Sequence, residues 1–143
     1  GLIWTAGSSP TIPAISPTPV LERGRLAVDD DLRLVGCTNT FALGDLSARP
    51  GSPWPASAQV AMQQGDATAA AIAQLRMEEE PQPFQFEDRG EMLSLGVGEA
   101  TLTGMGLTLA GPLAFQLRRA TYLTRLPGLS LGLRSAGAWL LNR

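Results

Sequence analysis

The sequence of 143 residues contains no histidine and a single cysteine, Cys37. Without an imidazole, the chain cannot supply a Ser-His-Asp triad, a Cys-His dyad or a His-ligated zinc site from its own residues. One cysteine likewise excludes an internal disulfide, a Cys-x-x-Cys redox pair and a cysteine-based metal cluster. Cys37 is most simply a small core residue. Chemistry of these kinds would need another chain.

Long apolar runs are also missing. No stretch reaches the roughly 18 apolar residues that a spanning helix needs, so the sequence predicts no transmembrane helix. The first residues, "GLIWTAGSSP", have neither the basic region of a signal peptide nor an initiator Met. We therefore expect the chain to begin within a strand of a longer protein.

The charges are unevenly distributed. Apolar residues make up 44% of the chain, enough for the core of one domain, and the net charge of −2 argues against nucleic acid as a partner. Up to Glu99 there are 6 arginines and 13 acidic residues (net −7), whereas from Ala100 onward there are 5 arginines and no acid (net +5). A basic, leucine-rich C-terminal part favours contact with an anionic surface, foremost a membrane. A basic, solvated helix face is the alternative.

The first half of the sequence predicts short strands. Leu2–Thr5 is interpreted as a buried strand, followed by a proline-rich extended connection. Two alternating segments, 26–28 and 32–34, flank the acidic turn 29–31 and predict a hairpin. The apolar run Thr40–Gly44 predicts a fully buried strand.

The second half predicts helices around a group of strands. Ser57–Met77 is rich in Ala, Gln and Met and lacks proline, which predicts a helix with a thin, closely packing backbone. Recurrent glycines between 84 and 110 indicate short strands with tight turns; Gly96 and Gly98 are turn glycines, because the spacing of a dinucleotide-binding loop is absent. Two helices, 112–126 and 129–141, are expected to close the chain. The second is amphipathic, with one apolar face composed of Leu129, Leu133, Ala136 and Leu140.

A strand that ends in Gly44-Asp45, followed by a loop and a helix, is how open α/β folds present a side chain at the carboxyl edge of a sheet, where ligands bind. Gly44 permits close approach to the backbone, and the Asp45 carboxylate can accept hydrogen bonds from hydroxyl groups. The alternative is an Asp that only caps its own turn.

Three longer segments carry a family resemblance: "IWTAGSSP", "GRLAVDDDLRLVGCTNTFALGDLSA" and "SAQVAMQQGDATAAAIAQL". They resemble the C-terminal portion of the type II NADH:quinone oxidoreductases, which are flavoproteins of the pyridine nucleotide-disulfide oxidoreductase superfamily with two dinucleotide-binding domains. The resemblance extends to "RGEMLSLG" and "GPLAFQLRRATYLTRLPGL". The most specific element is "FALGD" followed by "AQVAMQ".

The resemblance implies roles for particular residues. Asp45 would receive the ribityl hydroxyls of FAD, with Gly44 giving access to the backbone. Ala58, Gln59 and Val60 would lie beside the flavin at a helix N-terminus, whose partial positive charge favours the reduced ring. Gln59 and Gln63 share one helix face and would hydrogen-bond the quinone. The alternative for the two glutamines is an ordinary solvent-facing pair.

Further implications concern the rest of the motifs. "WTAG" implies that Ala6 and Gly7 lie against NAD(P)H, although a turn explains Gly7 equally well. Val35 stands where the longer form of the flavin motif has Thr, ten residues before Asp45. Neither G-x-G-x-x-G fingerprint of the family is present, so no loop for the ADP half of FAD or NADH is found in this chain.

We therefore expect an α/β chain forming part of a flavoprotein that passes electrons from NAD(P)H through FAD to a quinone. Residues 1–80 would comprise the end of the nicotinamide domain and the second segment of the FAD domain, and 81–143 a β/helical membrane-associating region. The expected location is peripheral, on the cytoplasmic face of a membrane. A homodimer is a possible assembly. By itself the chain is expected to be incomplete and inactive.

Two alternatives remain. One is another member of the same flavoprotein class, such as a sulfide:quinone reductase or a disulfide reductase, which would need a cysteine pair. The other is a truncated, non-catalytic module that associates with a membrane or with a partner flavoprotein.

Overall fold

The structure, a computed structural model, describes residues 1–5, 7 and 9–141. The described residues form a small mixed α/β structure with three α-helices and two three-stranded sheets. The chain divides into two compact units, Gly1–Asp88 and Arg89–Arg143. This boundary between compact units does not test the predicted division at 80/81, which concerned segments of two larger domains. That division stays a prediction.

The sheet of the first unit is short and mixed. β1 (Leu21–Glu22) pairs antiparallel with β2 (Arg25–Ala27), and β2 pairs parallel with β3 (Ser47–Ala48). All of β3 and the last two residues of β2 are buried. Because β3 directly follows the Gly44–Leu46 turn, this parallel pairing anchors one end of the turn.

The predicted hairpin is confirmed only around its acidic turn. Val28 and Leu34 form a single antiparallel bridge, and the Asp29 N–H donates to the Arg33 carbonyl at 2.8 Å. Arg33 Nε donates to the Asp31 carboxylate at 2.6 Å. This hydrogen bond, with the attraction of Asp31 and neighbouring carboxylates, outweighs desolvation and raises the pKa of Arg33. Beyond the bridge one hydrogen bond continues the pairing, from the Val35 N–H to the Ala27 carbonyl, but residues 32–34 form no strand, and β2 pairs with β1 and β3.

The core of the first unit consists of Leu26, Val28, Leu32, Leu34, Ala42 and Phe84. The Trp54 ring packs edge-on against Phe84, with ring centroids 5.3 Å apart. The Phe84 N–H donates to the Asp30 carbonyl at 2.7 Å, so the segment after α1 returns to the acidic turn.

Two strand predictions are wrong. Residues Leu2–Thr5 form no strand: Leu2, Ile3 and Trp4 are 80–89% exposed, and they pair with no described strand. Thr40–Gly44 is also not a strand beyond one bridge between Phe41 and Arg33. The segment is also not fully buried as predicted, since Ala42 is buried but Leu43 is exposed.

The helix predicted over Ser57–Met77 is confirmed as α1 (Ala58–Arg76), with Ser57 as its N-cap. Val60, Gln64, Thr68 and Ala71 form its buried face, at the spacing of successive helical turns. Its C-cap, Met77, has its N–H bonded to the Gln74 and Leu75 carbonyls.

The second unit is an antiparallel meander followed by two helices. β4 (Glu91–Gly96), β5 (Glu99–Gly104) and β6 (Leu107–Ala110) pair in sequence order. This confirms the expected short strands, and Gly96 and Gly98 lie at the β4–β5 turn as predicted, Gly98 with φ of +82°.

Two helices complete the second unit: α2 (Pro112–Leu123) and α3 (Leu129–Leu141). α2 ends three residues before the predicted Leu126, because the chain tightens into turns there: the Arg125 and Leu126 N–H groups bond carbonyls three residues back. Arg119 lies over the Trp139 ring at 4.2 Å and so links the two helices. Among the described helices, none has the length and apolarity that a bilayer crossing requires.

Candidate functional site

The predicted Gly-Asp pair forms a tight turn instead of a strand end. Residues Gly44–Leu46 make one turn of 3-10 helix, which Gly44 enters with φ of +67°. The Ser47 N–H and its Oγ both bond the Gly44 carbonyl, the latter at 3.1 Å. We call residues 44–47 the Gly-Asp turn. Its left-handed first residue explains why glycine stands there.

The Asp45 side chain is exposed on this turn. Within the part of the chain that the structure describes, its carboxylate forms no hydrogen bond and no salt bridge. Ser47, not Asp45, makes the side-chain bond that closes the turn. Self-capping of the turn therefore does not explain Asp45, and its carboxylate is available to a ligand.

α1 begins close to the Gly-Asp turn. Ser57 Oγ accepts the Val60 N–H at 3.2 Å, and the Ser57 carbonyl accepts the Ala61 N–H at 3.0 Å. Val60 is buried, whereas Ala58 is exposed and Gln59 is half-buried. Of the three residues predicted to lie beside the flavin, Val60 thus has its N–H already bonded and its side chain in the interior.

The first two turns of α1 pack on the Gly-Asp turn. A Cβ at Gly44 would come within 3.3 Å of the Ala61 Cβ, so the two backbones approach closely. Gln64 Oε1 accepts the Gly44 N–H at 2.6 Å, across twenty residues of sequence. Gln64 is not among the site residues predicted from the sequence. Its signal was the helical spacing from Val60, which places position 64 on the buried face.

The two glutamines predicted to bind a quinone are both half-buried. The Gln63 amide pairs with the backbone of Glu87: its Nε2 donates to the Glu87 carbonyl at 2.8 Å, and its Oε1 accepts the Glu87 N–H at 3.0 Å. This pair ties α1 to the segment after it. Both polar atoms of the Gln63 amide are therefore engaged within the first unit.

The predicted NAD(P)H contacts lie at the start of the chain. Gly7 is exposed and has φ of +93°, as a turn glycine does, and Ala6 lies outside the described residues. Val35, at the position where the longer flavin motif has Thr, donates its N–H to the Ala27 carbonyl and so belongs to the sheet region.

Comparisons with known proteins find relatives over most of the chain. It is 36% identical over 137 residues to an alternative NAD(P)H-ubiquinone oxidoreductase of Arabidopsis thaliana, covering 88% of this chain and 26% of the relative. It is 36% identical over 154 residues to a demethylphylloquinone reductase of Synechocystis, covering 99% of this chain and 38% of the relative. No protein-family model matches the sequence.

A third relative is a type II NADH:quinone oxidoreductase of Staphylococcus epidermidis, 35% identical over 121 residues, which cover 82% of this chain and 30% of the relative. By name, all three relatives are oxidoreductases that reduce quinones, and that is the class to which this chain is related. More particularly, over most of its length the chain is similar to a portion of proteins named type II NADH:quinone oxidoreductase. It spans between about a quarter and two fifths of the length of these relatives.

Proposed function

We propose that the protein containing this chain is a flavoprotein that oxidises NAD(P)H and reduces a quinone, and that this chain contributes part of its FAD and quinone sites. The names of the relatives support the reaction class. The observation that carries the proposal for the site is the Gly-Asp turn held against α1, with the Asp45 carboxylate unpaired among the described residues.

The residues of the turn fit the ribityl part of FAD. A polyhydroxyl chain needs a hydrogen-bond acceptor beside a backbone that it can approach, and Asp45 next to Gly44 provides both. Ala58 and Gln59, at the start of α1, would face the flavin ring, where the helix N-terminus favours negative charge. Val60 would support this end of the helix from within. Bound FAD would supply the two-electron chemistry between nicotinamide and quinone.

The proposed quinone contacts are Gln59 and Gln63. A primary amide can donate to a quinone carbonyl without bringing a net charge into an apolar site. Gln63 could do so only by exchanging its Nε2 bond to the Glu87 carbonyl for one to the quinone. The proposed contact of Ala6 and Gly7 with NAD(P)H rests on the sequence motif alone.

We further propose that the second unit rests on a membrane surface, on the cytoplasmic face, as a peripheral contact. Several leucines of α2 and α3 are exposed, among them Leu113, Leu129 and Leu133 at 61–83%. The sequence from Ala100 onward carries arginines and no acid. Exposed leucines combined with basic charge suit an anionic bilayer. A homodimer of the whole protein stays a prediction.

The site is tested in the complete protein by the substitution Asp45→Ala. Removing a carboxylate that accepts hydrogen bonds should weaken FAD binding about 10- to 100-fold. The measurement is FAD affinity by flavin fluorescence, together with NADH oxidation in the presence of a quinone. Asp66→Ala, at an exposed position of α1, is the matched control and should bind FAD as the unsubstituted protein does. Equal affinity in both variants would refute the assignment of Asp45.

A further inference from the structure

The most unusual residue of α1 is Gln64. Its side chain is only 1% exposed and lies on the face that also carries Val60 and Ala71. Burying a primary amide is unfavourable unless its polar atoms are hydrogen-bonded. Gln64 Oε1 is bonded, at 2.6 Å, to the Gly44 N–H. The amide therefore has a specific partner, and that partner is the first residue of the Gly-Asp turn.

The two backbone polar groups of Gly44 are bonded to different parts of the structure. The Gly44 carbonyl is bonded from within the turn, by the N–H and the Oγ of Ser47. The Gly44 N–H, in contrast, is bonded to α1. Gln64 thus connects the turn directly to the helix.

We propose that Gln64 is a positioning residue: by holding the Gly44 N–H, it fixes the Leu43–Gly44 peptide, and with it the start of the Gly-Asp turn, relative to α1. The carboxylate of Asp45 and the first turn of α1, which bears Ala58 and Gln59, are then aligned to contact one bound FAD. Gln64 itself, being buried, does not touch the ligand. This inference rests on the proposed role of Asp45 in binding FAD.

The test uses three substitutions in the complete protein. Gln64→Met keeps the length of the side chain but removes the acceptor, whereas Gln64→Glu keeps an acceptor in the same place. Gln85→Met, at an exposed glutamine of the same unit, is the matched control. The measurements are FAD affinity, the visible spectrum of the bound flavin and its reduction potential.

We expect Gln64→Met to weaken FAD binding about tenfold, the value of one lost hydrogen bond of this kind, and to shift the flavin spectrum and potential. Gln64→Glu restores an acceptor but buries an acid group, so it should recover part of the affinity and bind FAD more tightly than Gln64→Met does. Gln85→Met should change none of these properties. If Gln64 only filled space, an acceptor at position 64 would not improve FAD affinity over that of Gln64→Met.

A double substitution tests the route of the effect. If Gln64 acts through Asp45, then Gln64→Met should weaken FAD binding much less in the Asp45→Ala background than in the original protein. Thr68→Val provides a packing control on the same buried face, because the Thr68 hydroxyl has no hydrogen-bond partner among the described residues. It should leave FAD affinity unchanged.

Affinity of Gln64→Met equal to that of the control, or fully additive effects of Gln64→Met and Asp45→Ala, would overturn the inference while leaving the proposed function intact. Failure of Asp45→Ala to change FAD binding would overturn both. If Gln64→Met does not fold, Gln64→Asn takes its place, since it keeps a buried amide but is one methylene too short to hold Gly44. Original affinity in a folded Gln64→Asn would contradict the inference.

Discussion

At the scale of single residues, the site depends on where each polar group finds its partner. Asp45 is exposed and without a hydrogen bond to a described residue, while Gln63 and Gln64, adjacent in sequence, bond two different backbone segments. Helix geometry separates the two glutamines by about 100° around the axis. One therefore faces the Gly-Asp turn and the other the segment at Glu87.

Gly44→Ala should destabilise the protein by about 1–2 kcal/mol, because an alanine at φ of +67° is strained. The added methyl would also come within 3.3 Å of the Ala61 Cβ. Denaturant unfolding measures the change. Gly65→Ala is the control with the opposite sign: Gly65 lies in the helix interior with open space around it, so alanine should add about 0.5–1 kcal/mol of stability. Equal effects of the two substitutions would contradict the strain argument.

Gln63→Leu should lower the free energy of unfolding by about 1–3 kcal/mol, since it removes both bonds to the Glu87 backbone. Hydrogen exchange at the Glu87 amide should accelerate at the same time. Gln82→Leu, an exposed position whose backbone N–H bonds Gln74, serves as the control and should change neither. Unaltered exchange at Glu87 in Gln63→Leu would show that the pair does not hold this segment.

At the scale of elements, α1 organises the first unit. Its 19 residues include many alanines, so its backbone can approach the Gly-Asp turn closely enough for Ala61 to contact Gly44. The same helix presents Gln63 to the following segment. The position of its first turn consequently determines the geometry of the whole candidate site.

Ser57→Ala should remove the N-cap of α1 and destabilise the protein by about 1 kcal/mol, since the Val60 N–H loses its side-chain acceptor. Ser57→Asp keeps an acceptor and adds a negative charge at the positive end of the helix, so its stability should match the original. Thermal unfolding of both variants tests this. A loss of equal size in Ser57→Asp would indicate that something other than capping is affected.

At the scale of the whole molecule, the two units differ in surface character. The first contains a core of six buried residues around Leu32 and Phe84. The second exposes much of its apolar surface: Met105 and Val97 at its turns are fully exposed, and so is most of Leu129 on α3. The predicted apolar face of α3 is thus not covered within its own unit at Leu129 and Leu133, and Leu140 lies outside the described side chains.

Leu129→Ser combined with Leu133→Ser should weaken binding of the complete protein to anionic phospholipid vesicles at least tenfold, since each replaces an apolar side chain that a bilayer would bury. Vesicle flotation measures the bound fraction. Met77→Ser, at an exposed apolar residue of the first unit, is the control and should bind as the original does. Equal flotation of all three proteins would show that these leucines do not contribute to membrane binding.

The sequence by itself determined the features that depend on neighbouring residues. Ser57 and the alanine-rich segment after it specify α1, because capping and helix propensity act within a few residues. The glycines near 96–98 specify a turn for the same reason, since they can take backbone conformations that other residues avoid. The lack of histidine decided which chemistries the chain cannot perform alone.

Only the tertiary structure decided how the Gly-Asp pair is held. Thr40–Gly44 reads as a strand locally, but the bond from Gly44 to Gln64 and the pairing of Gln63 with Glu87 join residues that are 20 and 24 positions apart. Such contacts arise when loops close and buried polar groups must find partners, and no local propensity encodes which partner is chosen. For that reason Asp45 was found from its motif, whereas Gln64 was found from the fold.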